Sequence, residues 1–160
     1  MKIIALYGGK NSKKDLLANR LANNSDVVYV KPYTDKEVPV YEEDWEMDDY
    51  IHLNAKQLSH KMEREVPLAI ITLKSHRYVF FSTQFKENFC VVILDDAGLH
   101  GFKKMWDGEL VTIRVHSDTE EHSDRCLMTD DEFDIVFNYD KDDYDELEHE
   151  IGWLEYEFKG

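Results

Sequence analysis

The chain has 160 residues, of which 42 % are hydrophobic and 33 % are charged, and its 19 basic and 34 acidic side chains give a formal net charge of −15. This length predicts a single domain over residues 1–160, and the two cysteines exclude a disulfide scaffold. The acidic balance argues against general nucleic-acid binding, and no apolar stretch approaches the roughly 20 residues of a membrane span. We therefore expect a cytoplasmic protein that binds neither nucleic acid nor a membrane.

The charges are unevenly distributed along the chain. Residues 1–40 carry seven bases and four acids, whereas residues 117–160 carry three bases and 17 acids. Because the N-terminal quarter is the only electropositive part of the sequence, we expect an anionic ligand to bind there.

Short apolar runs and amphipathic segments alternate along the chain. The first half predicts a strand at Lys2–Tyr7, a helix at Lys13–Asn23, a strand at Asp26–Val30, loops with at most a short strand from Pro32 to Tyr50, and a helix at Asn54–Glu65. The second half predicts strands at Leu68–Leu73, Arg77–Phe81, Phe89–Leu94, Leu110–His116 and Phe133–Phe137, and helices at Gly98–Trp106 and Asp142–Phe158. Continuous apolar strands indicate a parallel sheet buried on both faces. We therefore expect a three-layer α/β fold with a central, mostly parallel sheet flanked by helices.

The turn between the first strand and the first helix resembles a phosphate-binding loop (P-loop). The template is G-x-x-x-x-G-K-[ST], in which backbone N–H groups and the lysine hold phosphates. Gly8 and Lys14 match it, whereas Lys13 replaces the second glycine and Asp15 replaces the hydroxyl that binds Mg²⁺. The alternative is a lysine-rich turn that binds no ligand. The candidate nucleotide-binding residues are Gly8, Gly9, Ser12, Lys13, Lys14 and Asp15.

Two acids, Asp95 and Asp96, follow the most apolar strand of the chain. In open parallel sheets, ligands bind beyond the carboxyl ends of the strands. Asp95 is therefore placed to hold Mg²⁺ or a substrate hydroxyl. The alternative is that the two acids simply end the strand in a turn with Gly98.

Taken together, these segments resemble the P-loop nucleoside monophosphate kinases and, among them, guanylate kinase most. The deoxynucleotide monophosphate kinases, which share the fold, are an alternative relative. Six stretches carry the resemblance in chain order, and they are Gly8–Asp15, Tyr33–Lys36, Tyr50–Leu58, Arg77–Ser82, Val91–Gly98 and Phe133–Leu147.

The resemblance implies a role for each matched residue. Lys14 and the loop backbone would hold the donor phosphates of ATP, Asp95 would hold Mg²⁺ or the acceptor base, and Arg125 would be a catalytic lid arginine. Residues 32–82 would form the acceptor-binding insertion, and residues 117–131 a short lid-like segment. The residues around the acceptor nucleotide would be Thr34, Lys36, Tyr50, Tyr78 and Ser82.

The sequence also departs from the family pattern at groups that handle phosphate. Kinases of this type clamp the phosphoryl group with several arginines, whereas this chain has only five arginines in its whole length. Lys36 replaces an arginine and lacks its bidentate fork. Phe80 and Phe81 replace a glycine and a threonine of the family motif. Residues 118–131 hold six acids against one base, which would repel nucleotide phosphates.

Two functions therefore remain open, and they differ in whether the chain is an enzyme. The first is a weak or inactive guanylate-kinase-like protein that acts as a nucleotide- or protein-binding module without a cofactor. The second is an active kinase that uses ATP and Mg²⁺ to phosphorylate (d)GMP or another (d)NMP. Three aromatic residues, Tyr41, Trp45 and Tyr50, lie among acids. They form a patch for a protein partner, a lid over an acceptor base or a small core beneath a loop.

Overall fold

The computed structural model describes residues 2–23, 26–37, 50–87 and 89–152. The chain divides into two compact units. The first comprises Met1–Tyr29, Glu87–Asp96 and Asp107–Gly160, and the second comprises Val30–Lys86 and Ala97–Trp106. The expected organisation, one domain with an acceptor-binding insertion and a lid-like segment, stays a prediction. Among the described residues, no helix combines the length and the apolar character needed to cross a membrane.

The described strands and helices follow the predicted order closely. The strands are β1 (Lys2–Tyr7), β2 (Val27–Tyr29), β3 (Tyr33–Thr34), β4 (Ile51–His52), β5 (Pro67–Leu73), β6 (His76–Phe81), β7 (Phe89–Ile93), β8 (Glu109–His116) and β9 (Ile135–Asn138). The helices are α1 (Lys14–Ala22), α2 (Ala55–Arg64), α3 (Asp96–Met105) and α4 (Tyr144–Ile151). The patch predicted at Tyr41 and Trp45 lies outside the described residues.

The first unit is built on a five-stranded sheet with the strand order β2-β7-β1-β8-β9. All four pairings are parallel, and Ile4 of β1 lies between Val91 of β7 and Val111 of β8. Every residue of β1 is buried, as expected for a central strand that is covered on both faces. This parallel sheet with its flanking helices confirms the predicted α/β fold of the P-loop NTPase type.

The core of the first unit lies between one face of this sheet and the helices α1 and α4. Apolar side chains recur at helical spacing in both helices, so each helix turns one apolar stripe toward the sheet. The helix residues of this core are Leu17, Ala18, Leu21, Leu147 and Ile151, and the sheet residues are Ile4, Leu6, Val27, Val91, Ile113, Val115, Ile135 and Phe137.

Helix α4 differs from its predicted length for a local reason. Asp143 caps its N-terminus by accepting a hydrogen bond from the Asp145 N–H. At the other end, Gly152 has a φ of 83°, a left-handed conformation that favours glycine and ends a helix. The helix predicted to continue to Phe158 is therefore interrupted at Gly152, and the rest of that segment lies outside the described residues.

The second unit contains a four-stranded sheet with the order β4-β3-β6-β5. Strands β5 and β6, which match two predicted strands, form an antiparallel hairpin, and both residues of its turn, Lys74 and Ser75, have positive φ angles. Helix α2 begins at a capping box in which Asn54 and Gln57 satisfy each other's backbone N–H groups. The small core beneath this helix consists of Leu58, Val79 and Phe81.

Candidate functional site

The P-loop-like turn between β1 and α1 holds a lysine in a strained conformation. Lys13 precedes α1 with φ 68° and ψ 22°, which is the left-handed region, and Asn11 also has a positive φ of 60°. The loop template has glycine at this position, and glycine adopts the left-handed conformation at no steric cost. The Lys13 ammonium pairs with Asp140 and lies 5.7 Å from the centre of the Tyr139 ring.

Lys14, the expected phosphate-binding lysine, turns back onto the loop. Its Nζ donates a hydrogen bond to the carbonyl oxygen of Gly9 at 3.1 Å. Burial lowers the pKa of this ammonium, and the nearby Arg125 lowers it too, whereas Cys126, Asp15 and Glu120 act in the opposite direction. Lys14 is thus a desolvated cation inside the loop.

Neighbouring atoms lie so close to the two glycines of the loop that neither position has room for a side chain. A Cβ on Gly8 would collide with the Ser12 side chain and would come within 2.7 Å of the Val115 carbonyl oxygen. A Cβ on Gly9 would fall on the carbonyl oxygen of Glu121. Ser12 is fully buried, and its hydroxyl has no hydrogen-bond partner among the described residues.

A carboxylate from the lid-like segment lies on this loop. The Gly9 N–H donates to Oε2 of Glu120 at 2.8 Å, and Nη1 of Arg114 reaches the same oxygen at 2.7 Å. His116 bridges two acids, because its Nδ1 lies 2.7 Å from Oε1 of Glu120 and its Nε2 lies 2.9 Å from Oδ1 of Asp130. Burial raises the pKa of the Glu120 carboxyl, but the hydrogen bonds from Arg114, Gly9 and His116 outweigh it and bring the pKa below its usual value.

The sequence places His116 and Glu120 near each other, as part of a weak candidate metal cluster with Glu121 and His122, but it does not predict that Arg114 joins them. Arg114 and His116 belong to a predicted strand, and two residues that are two apart on a strand lie on the same face. That spacing is the feature of the sequence that indicates Arg114 and His116 as neighbours. The third member, Glu120, lies on an irregular segment whose course the sequence pattern does not predict.

The predicted Mg²⁺ ligand and the predicted lid arginine form an ion pair. Arg125 reaches Oδ2 of the largely buried Asp95 with Nε at 2.9 Å and with Nη2 at 2.7 Å. The neighbouring Asp96 accepts hydrogen bonds from the Tyr7 hydroxyl and from the Leu127 N–H. Residues 125–127 are thereby bound at the carboxyl ends of β1 and β7, where the predicted ligand site lies.

Two predicted site residues of the first unit, Asp95 and Arg125, are therefore in direct contact, and a third, Lys14, is near enough for its charge to act on Arg125. The Cys126 thiol donates to the Gly8 carbonyl oxygen at 3.4 Å. Burial raises the pKa of this thiol, and the nearby Lys14 partly opposes the rise.

The groups expected at a donor site for Mg²⁺–ATP are either different in type or already paired within the chain. Position 15 offers a carboxylate in place of a hydroxyl, Oδ2 of Asp95 is held by Arg125, and the Gly9 N–H is held by Glu120. In the described part of the chain, no group of three or more His, Cys, Asp or Glu side chains is arranged to hold a metal ion.

Four of the five predicted acceptor residues lie close together in the second unit. Thr34 is fully buried and pairs in register with Tyr78, and its Oγ1 accepts a hydrogen bond from the Lys36 N–H at 3.2 Å. The ring of Tyr50 lies 5.0 Å from that of Tyr78. The fifth, Ser82, follows the end of β6, where its N–H donates to the carbonyl oxygen of Val66.

Comparisons with known proteins bear on the fold. No family model matches the sequence, and no curated protein matches it. Among solved structures, the chain is similar to the crystal structure of guanylate kinase from Anaplasma phagocytophilum, with a TM-score of 0.58 and 14 % identity. The match covers 95 % of this chain and 82 % of that one. The chain therefore has a guanylate-kinase-like fold, as the sequence motifs predicted.

Proposed function

We propose that this chain is a degenerate guanylate-kinase-like protein, weak or inactive in phosphoryl transfer, that acts as a binding module. One observation carries the proposal. The groups expected to handle donor phosphates and Mg²⁺ are already paired within the chain: the Gly9 N–H with Glu120, Asp95 with Arg125, and the Lys13 ammonium with Asp140. Phosphoryl-transfer catalysis consists mostly of positioning and charge stabilisation, and groups that are neutralised in this way supply little of either.

The ligand of the module is a nucleoside monophosphate or a protein partner. The cluster of Thr34, Lys36, Tyr50 and Tyr78 supports the first. The strongly acidic C-terminal quarter supports the second, because it would attract a basic partner surface. The cytoplasmic location expected from the sequence belongs to the same proposal.

Active nucleoside monophosphate kinase is the second candidate. The contact of Asp95 with Arg125 and the nearby charge of Lys14, at the carboxyl ends of the parallel strands, favour it. In that case ATP and Mg²⁺ would displace the internal pairs when they bind.

Thermal unfolding and a turnover assay distinguish these functions. We expect millimolar ATP or GTP with Mg²⁺ to leave the melting temperature unchanged and to yield no nucleoside diphosphate with GMP or dGMP. A ligand at about 100 times its Kd would instead stabilise the fold by about 2.7 kcal/mol, a shift of several degrees. A shift with GMP or dGMP alone would identify a nucleotide-binding module, and no shift with any nucleotide would direct the search to a protein partner.

Two matched variants make the test specific to the loop. If the chain is a kinase, Lys14→Met abolishes turnover, whereas Lys10→Met, which removes an exposed lysine from the same loop, does not. ATP-dependent formation of a nucleoside diphosphate that disappears only in Lys14→Met would contradict the proposal.

A further inference from the structure

The Glu120 carboxylate is surrounded by donors that suit an oxyanion. The Gly9 N–H, Nη1 of Arg114 and Nδ1 of His116 all lie between 2.7 and 2.8 Å from its two oxygens. Hydrogen bonds of this length to a charged acceptor are among the strong ones in proteins. Its side chain is 14 % exposed, and that of Arg114 is 12 % exposed, so water screens the pair only slightly.

This arrangement is held in place by the backbone on both sides of Glu120. The Glu121 N–H donates to the carbonyl oxygen of Lys10 at 2.7 Å, and this pair forms an isolated antiparallel bridge. The hydroxyls of Ser117 and Thr119 both donate to the carbonyl oxygen of Asn11. The segment that carries the carboxylate is therefore bound along the loop by contacts that do not involve the carboxylate itself.

We infer that Glu120 acts as a built-in oxyanion, occupying a site formed by the Gly9 N–H, Arg114 and His116 that takes a phosphate when the carboxylate is removed. The inference rests on the proposed function in one respect, namely that ATP does not bind to this loop in the native chain. The site belongs to the end of β8 as much as to the loop, since two of its three donors are β8 side chains.

The chemistry of the three donors supports a phosphate as the replacement ligand. Removing Glu120 leaves the Gly9 N–H without its acceptor and takes the carboxylate from the buried Arg114 guanidinium, whose Nη1 keeps only the Val115 carbonyl oxygen at 2.6 Å. A buried N–H and a buried guanidinium are both costly to leave without a full set of acceptors. Arg114 also has an unused donor, because its buried Nε has no hydrogen-bond partner and lies 3.8 Å from Asp130. A phosphate offers more acceptor oxygens than a carboxylate, so it has oxygens for all of these donors. The nearby Lys14 adds a further positive charge.

The test measures binding of inorganic phosphate and pyrophosphate by isothermal titration calorimetry. We expect Glu120→Ala to bind phosphate at least tenfold more tightly than the native chain. Glu121→Ala is the matched control, because it removes the same charge from the next residue, whose side chain is exposed. We expect it to bind phosphate as the native chain does. Adding Arg114→Gln to Glu120→Ala should abolish the gain. Equal phosphate binding by the native chain and a folded Glu120→Ala variant would overturn the inference.

A second measurement covers the case in which Glu120→Ala does not fold. Glu120→Gln keeps the size of the side chain and an acceptor oxygen, and the amide proton of Gly9 reports on that acceptor by NMR. We expect its resonance to move upfield in Glu120→Gln and to stay in place in Glu121→Gln, since a neutral amide is a weaker acceptor than a carboxylate. An unchanged Gly9 resonance would also overturn the inference. Neither readout depends on ATP turnover. A failure of this inference can therefore be distinguished from a failure of the proposed function.

Discussion

The left-handed backbone conformation of Lys13 destabilises the fold, and the pairing of its side chain offsets that cost only in part. A residue with a Cβ in the left-handed region costs roughly 1–2 kcal/mol. The Lys13 pair with Asp140 involves solvent-exposed groups, and pairs of this kind contribute little to stability because water screens them. Lys13 is therefore a lysine in a backbone conformation that favours glycine, and its side chain pairs within the chain.

This penalty predicts an unusual order of stability at position 13. Lys13→Gly and Lys13→Ala both lose the pair with Asp140, but only glycine removes the strain, so we expect the glycine variant to be more stable by about 1 kcal/mol. Asn19, exposed within α1, is the control, because there alanine should exceed glycine by about 1 kcal/mol. Urea unfolding measures both differences. Equal stability of the two variants at position 13 would contradict the argument.

At the scale of elements, a single arginine joins β6, α2 and the loop after β3. Arg77 donates from Nη2 to the Ala55 carbonyl oxygen and the Ser59 hydroxyl, each at 3.1 Å. Its backbone N–H and Nε both donate to the Asp35 carboxylate. Burial raises the pKa of Asp35, but these hydrogen bonds and the charge of Arg77 outweigh it, so the pKa lies below its usual value. The planar guanidinium thus holds α2 on its sheet.

This role predicts that Arg77→Lys is not a conservative change. A lysine keeps the charge but cannot reach these acceptors with a planar fork, so we expect a loss of about 2 kcal/mol in the free energy of unfolding. Arg64→Lys at the exposed end of α2 is the matched control and should change stability by less than about 0.5 kcal/mol. Urea unfolding of the two variants compares them directly. A loss at Arg77 no larger than at Arg64 would show that the guanidinium fork is dispensable.

For the whole molecule, the dominant physical feature is its negative charge. The net charge is −15, and residues 117–160 contribute 17 of the 34 acids. Internal pairs such as those of Glu120 and Asp95 neutralise a few of these acids. The remaining repulsion acts across the surface and is open to screening by salt.

We therefore expect the melting temperature at pH 7 to rise by several degrees as sodium chloride is raised from about 0.01 M to about 1 M, over which the screening length falls from about 30 to 3 Å. At the isoelectric pH the net repulsion vanishes, and the same salt series should have much less effect. Differential scanning calorimetry under both conditions makes the comparison. A melting temperature that falls with salt at pH 7 would mean that attractive pairs outweigh the repulsion.

The apolar pattern of the sequence was enough to predict the strands of the parallel sheet, and the loop and acids at its edge were enough to propose a candidate site there. Strands covered on both faces must be apolar throughout, so runs such as Phe89–Ile93 were recognisable without their neighbours. The loop after β1 and the acids after β7 were likewise expected at one edge of the sheet, because parallel strands share a direction. The end of α4 at Gly152 was also within reach of sequence reasoning, since glycine favours that position.

The contacts of the candidate site residues depend on long-range packing that the sequence pattern does not report. Glu120 and Gly9 are 111 residues apart in sequence, and Arg125 and Asp95 are 30 apart. Local periodicity reports which face of an element is buried, but it holds no information about which irregular segment crosses which loop. The pairing of Gly9 with Glu120 and of Asp95 with Arg125 therefore depends on how residues 117–128 pack on the sheet edge, and that packing follows from the whole fold of the first unit.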